Sequence, residues 1–224
     1  MIDFHTHTLL SDGVLLPSEL VRRAENAGYS AIGLTDHVDG SNLEFVLKSI
    51  LKVAAELNRL QSTFVIPGVE ITHAPPQQVP KLVKEARKLG AILIVVHGES
   101  PVEPVAAGTN RAGIESRADI LAHPGFITDS DAALAAENGV LLEITARQGH
   151  SLTNGHVARM AVKNGAKLVI DTDTHTPDNL ITRERAYQIL IGAGLVESEA
   201  KKVLRNNQEL LDICKQRLSG SHQD

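Results

Sequence analysis

Short runs of β-branched and other apolar residues alternate with longer segments of helical periodicity along the whole chain. The helical segments repeat apolar residues every three or four positions, as Leu20, Val21 and Ala24 do, and several of them stop at a glycine. No linker or low-complexity tract separates these units, so we predict one domain over residues 1–218 and a polar C-terminal tail over residues 219–224. The apolar runs predict seven strands, at residues 2–7, 31–35, 64–71, 91–96, 119–123, 140–145 and 167–171.

Regular alternation of strands and helices indicates an α/β fold with a parallel sheet and right-handed crossovers. The run at residues 91–96 is apolar on both faces, as is typical of a buried parallel strand. Such a sheet is either open and doubly wound or closed into a barrel. The positions of the polar residues distinguish the two, because an open sheet exposes one crevice whereas a barrel brings every strand end to one centre.

Nearly every predicted strand ends in His, Asp or Glu. His5 and His7 are two positions apart on the first strand, so both side chains emerge on the same face. Because so many strand ends carry such residues, we predict a TIM-like β/α barrel with a site at the carboxyl ends of its strands. The other strand-end residues of this kind are Asp36, His37, Glu70, His97, His123, Asp171, Asp173 and His175.

A gathering of imidazoles and carboxylates indicates bound metal. Burying these groups together is costly unless cations satisfy them, and turn residues placed by chance would favour Asp over His. The set contains no thiolate, so it suits Zn²⁺, Mn²⁺ or Fe and argues against a structural zinc site. The candidates are too many for one ion, and we predict two or three divalent ions with Glu70 as a bridge.

Composition argues against two other classes of protein. The net charge is -5 and 3% of the residues are aromatic, without Trp, so we expect no extended nucleic-acid binding. No apolar run approaches the roughly 20 residues of a membrane span, and no signal-peptide pattern follows Met1. We therefore expect a cytoplasmic protein without membrane contact, whose oligomeric state the sequence leaves open. The single cysteine, Cys214, is interpreted as a small core residue.

Taken together, the strand-end motifs resemble the PHP (polymerase and histidinol phosphatase) domain. The motifs follow the family's order over residues 5–175, and the compact chain is similar to the stand-alone, histidinol-phosphatase-like branch. They read His5-Thr6-His7-Thr8 with Ser11-Asp12-Gly13, Thr35-Asp36-His37, Gly68-Val69-Glu70, Val96-His97-Gly98, Ala122-His123-Pro124 and Asp173-Thr174-His175.

The resemblance implies a distorted seven-stranded (β/α)7 barrel with a trinuclear metal centre. It places one ion on His5, His7, Glu70 and Asp173, a second on Asp12, His37 and His175, and a third on His97 and His123 with Glu70 bridging.

The function implied is a metal-dependent phosphoesterase. We expect a phosphomonoesterase that hydrolyses a small phosphorylated metabolite, histidinol phosphate-like or a nucleotide, by attack of a metal-bridging hydroxide. Glu70, Asp173 and His175 are the expected catalytic residues. Arg147 and Glu143 are the expected substrate-binding residues. The alternative for Arg147 is a solvated loop arginine, and the alternative for Glu143 is a group that orients a histidine ligand.

Three alternatives remain open at this point. One is an amidohydrolase-type hydrolase of an amide or lactone, although no predicted strand ends in the lysine that often bridges metals in such enzymes. Another is a non-catalytic metal-binding module. An exonuclease is the third, which the charge and the low aromatic content disfavour. His73 and His150 are interpreted as loop or helix-end residues.

Overall fold

The computed structural model describes residues 1–220 and folds them into a nearly closed barrel of parallel strands. Two short strands pair with successive halves of one long strand, so eight strands fill seven positions around the barrel. The predicted seven-stranded barrel in a single domain is confirmed. The strands are β1 (Ile2–Asp3), β2 (Ala31–Leu34), β3 (His37–Val38), β4 (Phe64–Ile71), β5 (Leu93–His97), β6 (Ile120–Ala122), β7 (Leu141–Thr145) and β8 (Leu168–Asp171).

Helices surround the strands and connect most of them. One helix, α4, was not predicted, because seven residues that include Gly113 are too few to show a clear period. A Cβ at Gly113 would lie 3.0 Å from Val96 Cγ1, so the glycine lets this helix approach β5 closely. The helices are α1 (Pro17–Asn26), α2 (Leu43–Leu60), α3 (Val79–Lys88), α4 (Thr109–Glu115), α5 (Asp129–Asn138), α6 (Asn154–Asn164), α7 (Arg183–Gly192) and α8 (Glu197–Gly220), with 3₁₀ turns at His150–Thr153 and Pro177–Asn179.

The apolar core has two layers, one on each face of the strands. Along β5, Leu93 and Val95 point into the barrel, whereas Ile94 and Val96 pack against the surrounding helices. All four are fully buried. Burial on both faces explains why this strand reads as a continuous apolar run.

Helix α8 covers the amino-terminal end of the barrel. Leu210, Leu211 and Cys214 on this helix join the apolar cluster inside the barrel. Farther along, Arg217 Nη1 donates to Ile92 O at 2.9 Å and to Asp119 Oδ1 at 2.8 Å. Burial raises the pKa of the Cys214 thiol to about 12, in keeping with its interpretation as a core residue.

The barrel closes between β1 and β8 through side chains more than through a backbone ladder. Asp171 Oδ1 accepts a hydrogen bond from Phe4 N at 2.7 Å, and Asp3 Oδ1 accepts one from Thr172 N at 3.1 Å. One backbone bridge, between Thr6 and Thr174, follows toward the carboxyl ends. The predicted first strand at residues 2–7 is therefore too long, since the regular ladder ends at Asp3.

The predicted boundary between the domain and its tail remains a prediction. Helix α8 continues through Gly220, so residues 219 and 220 are helical. Residues 221–224, which include His222, lie outside the described residues. Among residues 1–220, no helix is both long and apolar enough to cross a membrane.

Candidate metal centre

The nine side chains predicted as ligands meet at the carboxyl-terminal end of the barrel. They form overlapping groups in which the candidate ligand atoms lie within 4.8 Å of one another. Their role as ligands remains a prediction, but the proximity on which it depends is present. The groups are His5, His7 and Glu70; His5, His123 and Asp173; Glu70, His97 and His123; and His7, Asp12, His37 and His175.

The inner part of the centre is fully enclosed. His5 Nε2 lies 3.3 Å from Glu70 Oε1, and His7 Nε2 lies 3.1 Å from Asp173 Oδ1. A third histidine, His123, has its Nε2 3.8 Å from the same Glu70 Oε1. Because Glu70 faces several rings at once, it is placed to bridge two cations.

The outer part of the centre opens to solvent through Asp12. Its Oδ1 lies 3.2 Å from His175 Nε2 and 3.5 Å from His37 Nε2, and its side chain is 58% exposed. The adjoining cleft has a volume of about 410 Å³ and is lined by Asp12, His37, Val38, Asp39, Ser41, Asn42, Thr72, His73 and Glu103. No Lys or Arg lines it, so its polar lining is histidine, neutral groups and carboxylates.

Several ligand atoms of the inner part are buried without a hydrogen-bond partner. They include Nε2 of His5, Nε2 of His7, Oε1 of Glu70 and Oδ1 of Asp173. Leaving one such polar atom unpaired usually costs on the order of 1–3 kcal/mol. Lone pairs of imidazole and carboxylate gathered in this way fit a divalent cation, which would satisfy all of them together.

Electrostatics keep the inner groups in two different protonation states. Burial and the charge of His37 lower the pKa of His7 to about 3, so the ring is neutral at pH 7 and one of its nitrogens has an available lone pair. Burial alone would lower the pKa of His5, but the carboxylates of Glu70, Glu143 and Asp173 outweigh it and raise that pKa well above the ordinary value. Burial opposes ionisation of Glu70, yet the charges of His5 and His37 hold its pKa well below the usual range. A cation would take the place of the proton on His5.

The PHP domain family matches residues 3–212. The chain belongs to this family. An uncharacterized protein of Methanocaldococcus jannaschii is 48% identical over 204 residues, which cover 90% of the present chain and 94% of that protein. A protein of Thermoanaerobacter sp. (strain X514) named as a probable phosphatase is 24% identical over 220 residues, 88% of each chain.

Another relative of this PHP domain is named as a component of ribonuclease P. Ribonuclease P protein component 3 of Methanosarcina barkeri is 33% identical over 151 residues, 65% of the present chain and 56% of that protein. The chain thus spans little more than half the length of this relative.

Solved structures share the fold at low sequence identity. One is an archaeal ribonuclease P with mature tRNA, in which a chain superposes with a TM-score of 0.72 at 20% identity, covering 97% of the present chain and 91% of that chain. A candidate histidinol phosphatase from Listeria monocytogenes gives a TM-score of 0.59 at 10% identity, covering 84% and 100%. These likenesses concern the fold alone.

Glu143 of this PHP domain lies beneath the ligand cluster, fully buried. Its Oε1 accepts from His5 Nδ1 at 2.9 Å and its Oε2 accepts from His123 N at 2.7 Å. The first bond leaves Nε2 of His5 to face Glu70. This position fits the alternative in which Glu143 orients a ligand, and its assignment as a substrate contact remains a prediction.

Arg147 lies at the rim with its guanidinium already engaged. Its Nη1 donates to Asp173 O at 3.3 Å and to Asn179 Oδ1 at 3.2 Å, while Nε lies 4.0 Å from Asp173 Oδ2. The side chain is 29% exposed, so a substrate can still reach it. Its assignment to substrate binding remains a prediction.

Two motif residues hold the loop that carries Asp12. The Asp36 carboxylate accepts from Thr8 N at 2.7 Å and from Ser11 Oγ at 2.7 Å. A Cβ at Gly13 would lie 2.3 Å from His7 O, so only glycine allows the loop to fold this tightly. Sequence reasoning placed Asp36 at a strand end but missed its role as the anchor of this loop.

The backbone is strained at the centre. Of the described residues other than glycine, four have positive φ, namely His73 at 51°, Arg117 at 55°, His123 at 26° and Asp173 at 52°. His123 and Asp173 are predicted ligands. Since such conformations persist only where the surroundings enforce them, their position here favours a functional role.

Sequence reasoning missed Glu103 and the contacts that it makes with two histidines. Glu103 reaches back from the loop after β5 and lies 3.1 Å from His97 Nε2. The same carboxylate pairs with His73 and His150, which were interpreted as ordinary loop or helix-end residues. No periodicity or spacing relates these three residues, because His73 and Glu103 lie in loops and His150 begins a short 3₁₀ turn.

Proposed function

We propose that this PHP domain is a metal-dependent phosphoesterase, most simply a phosphomonoesterase of a small phosphorylated metabolite. The observation that supports this most directly is the set of buried, unpartnered ligand atoms of His5, His7, Glu70 and Asp173 at the carboxyl end of the barrel. Membership of the PHP family and the relative named as a probable phosphatase support the same class of reaction.

Three groups of residues would hold Zn²⁺, Mn²⁺ or Fe. His5, His7, Glu70 and Asp173 would hold one ion, Asp12, His37 and His175 a second, and His97 and His123 a third that shares Glu70. Bound cations would activate water and neutralise the oxygens of the phosphate. Glu70 would remain ionised between them, because the neighbouring histidines favour its charged form.

The chain itself provides a poor environment for a phosphate. Asp12, Asp39 and Glu103 line the cleft, and its lining residues include no Lys or Arg and only His37 and His73 as basic side chains. An anionic substrate would therefore be repelled from the cation-free protein. The cleft of about 410 Å³ suits a small ligand, so we propose that cations supply the affinity and that Arg147 at the rim adds a further contact to the ester.

The first test is phosphate release from a panel of phosphomonoesters. Protein stripped of metal is assayed alone and after addition of Mn²⁺, Zn²⁺ or Fe²⁺. We expect turnover only with metal, and expect Glu70→Gln to abolish it while Glu44→Gln, on the exposed face of α2, has no effect. Stoichiometric metal binding without turnover of any ester would contradict the proposal and favour an amide or lactone substrate, or a binding role.

Arg147→Ala tests the contribution of the rim. We expect a higher KM for phosphate esters with an intact metal content. An unchanged KM would show that Arg147 does not contact the ester and that its role is the hydrogen bond to Asp173 O.

A second candidate function is contact with RNA. The ribonuclease P relative motivates it, and a cationic cleft of about 520 Å³ at the amino-terminal end of the barrel favours it. Arg183, Lys201 and Arg205 line this cleft, whereas the expectation against extended nucleic-acid binding rested on the net charge of the whole chain. We expect single-stranded RNA to bind with an affinity that falls as salt rises. Unaltered RNA affinity in Arg183→Gln/Arg205→Gln would exclude the cleft.

A further inference from the structure

A second group of ligand-type atoms lies beside His97, on the solvent side of the metal centre. Glu103 Oε2 is 3.1 Å from His97 Nε2 and 3.1 Å from His73 Nε2. These three atoms all lie within 4.8 Å of one another. The residues come from three segments, namely the end of β5 and the loops that follow β4 and β5.

Neighbouring contacts set which nitrogen of His97 and which nitrogen of His150 faces Glu103. His97 Nδ1 donates to Gly98 O at 3.0 Å, which leaves Nε2 as the one nitrogen of this ring available to a cation. His150 Nδ1 is paired with Ser100 Oγ at 2.6 Å, and its Nε2 lies 3.4 Å from Glu103 Oε1. The Glu103 carboxylate thus lies among three imidazoles. Its Oε1 faces His150, and its Oε2 faces His73 and His97.

The backbone of His73 gives independent support. Its φ of 51° is one of four positive values outside glycine in the described chain, and two of the other three belong to the predicted ligands His123 and Asp173. A conformation of this kind persists only where the surroundings enforce it. The His73 residue with this backbone conformation directs its ring at Glu103, and its side chain is 44% exposed.

We infer that His73, His97 and Glu103 form an outer binding position for a divalent cation. Two imidazoles and one carboxylate suit Zn²⁺ or Mn²⁺ and leave coordination sites open to solvent. Glu103 is 37% exposed, so a hydrated ion from solution reaches this position without any movement of the barrel. Neither His73 nor Glu103 belongs to the ligand set that the family resemblance implies.

The outer position competes with an inner one for a single atom. His97 belongs both to the group of His73 and Glu103 and to the buried group of Glu70 and His123. Because its Nδ1 donates to Gly98 O, Nε2 is the atom that it can offer to a cation in either group. One imidazole nitrogen binds one ion, so the two positions are alternatives for the same cation. The outer position is exposed whereas Glu70 and His123 are buried, so a cation from solution would bind first at the outer position before it passes to the buried ligands. This inference concerns cation binding and stands whether or not a phosphate ester is the substrate.

The decisive experiment removes the inner position and counts cations. His123→Ala deletes an inner ligand without touching His73 or Glu103, and ions per chain are measured by elemental analysis after dialysis against Zn²⁺. We expect His123→Ala to retain the ion and His123→Ala/Glu103→Gln to bind one ion fewer. The matched control, His123→Ala/Glu115→Gln, alters an exposed glutamate of α4 and should match His123→Ala. Equal ion counts and equal Kd in all three proteins would overturn the inference.

A second measurement decides the matter if His123→Ala fails to fold by circular dichroism. Zn²⁺ uptake by the cation-free protein is followed by stopped flow with a competing indicator dye, in otherwise unaltered chains. We expect Glu103→Gln and His73→Ala to take up the ion more slowly than the unaltered chain, because each lacks a ligand of the exposed position. Rates equal to that of Glu115→Gln would contradict the outer position.

Discussion

Glu143 Oε1 accepts a hydrogen bond of 2.9 Å from His5 Nδ1, and both side chains are completely buried. The two residues are 138 positions apart, with Glu143 on β7 and His5 just past β1. The bond fixes the ring so that Nε2 faces Glu70. A carboxylate in this position orients a ligand and increases its basicity.

Replacement of Glu143 should therefore weaken metal binding without removing a ligand. We expect Glu143→Gln to lower Zn²⁺ affinity by about 10- to 100-fold, because an amide is a poorer acceptor from His5 and His123. Competition with a chelator measures the change. An affinity equal to that of Glu44→Gln would show that the ring is held by packing alone.

Metal should stabilise the folded chain, since the ligand atoms without partners are assembled only in the native state. At a free metal concentration one hundred times Kd, one site adds about 2.7 kcal/mol. For a chain of this size that corresponds to a rise in Tm of about 5 to 10 °C. Differential scanning calorimetry with and without chelator measures it. We expect Asp173→Asn to lose most of the rise, and a full rise in that variant would argue against Asp173 as a ligand.

The seam of the barrel should depend on pH through Asp171. Burial and the charges of Asp3 and Glu143 raise the pKa of Asp171 well above its usual range, and burial raises the pKa of Asp3 to about 6. A raised carboxyl pKa means that the folded state keeps a proton that the unfolded chain releases near pH 4. The contribution of Asp3 and Asp171 to the free energy of unfolding is therefore fully present below about pH 4. It is lost as the pH rises toward the pKa values that these two groups have in the folded state.

The variant Asp171→Asn tests this, because the amide resembles the protonated carboxyl. It should be more stable relative to the parent at pH 8 than at pH 5, as measured by urea denaturation of metal-free protein. Parallel pH profiles for the two proteins would show that Asp171 does not titrate differently on folding. Oδ1 of the replacement can still accept from Phe4 N, so the seam contact is retained.

Asp36 should control the outer part of the centre alone. Its carboxylate receives bonds from Thr8 and Ser11 and so holds the loop that carries Asp12. Bonds to a charged acceptor contribute about 1.5–3 kcal/mol each. We expect Asp36→Asn to lower the number of bound ions by one, with the ion on Asp12, His37 and His175 lost first. Elemental analysis measures this, and an unchanged ion count would mean that the loop is held by its turn geometry.

The convergence of the candidate ligands was largely predictable from the strands near which they lie. The strands are parallel, so residues at or close to their carboxyl ends reach the same end of the barrel, and His37, Glu70, His97 and His123 converge whatever the details of the loops. His5 and His7 were placed correctly relative to one another even though β1 is shorter than predicted, because the backbone bridge at Thr6 keeps them in line with the sheet.

Side-chain partnerships between distant loops were not predictable in this way. The pairing of Glu103 with His73, His97 and His150 joins segments whose conformations follow no period. Likewise, nothing local to Asp3 or Asp171 shows that their carboxylates close the barrel, because each bonds a backbone amide about 170 residues away.

Most of the strands and helices, the barrel and the set of candidate ligands could be predicted from the amino-acid sequence. The period of apolar residues fixes which face of each element is buried, and the strand ends then follow from the parallel arrangement. Three contacts became visible in the folded chain alone, namely those of Glu143 beneath His5, of Arg147 with Asp173 and of Glu103 with His97. The physical reason is that these contacts depend on the distance and orientation of side chains from separate segments, which no local pattern of residues records.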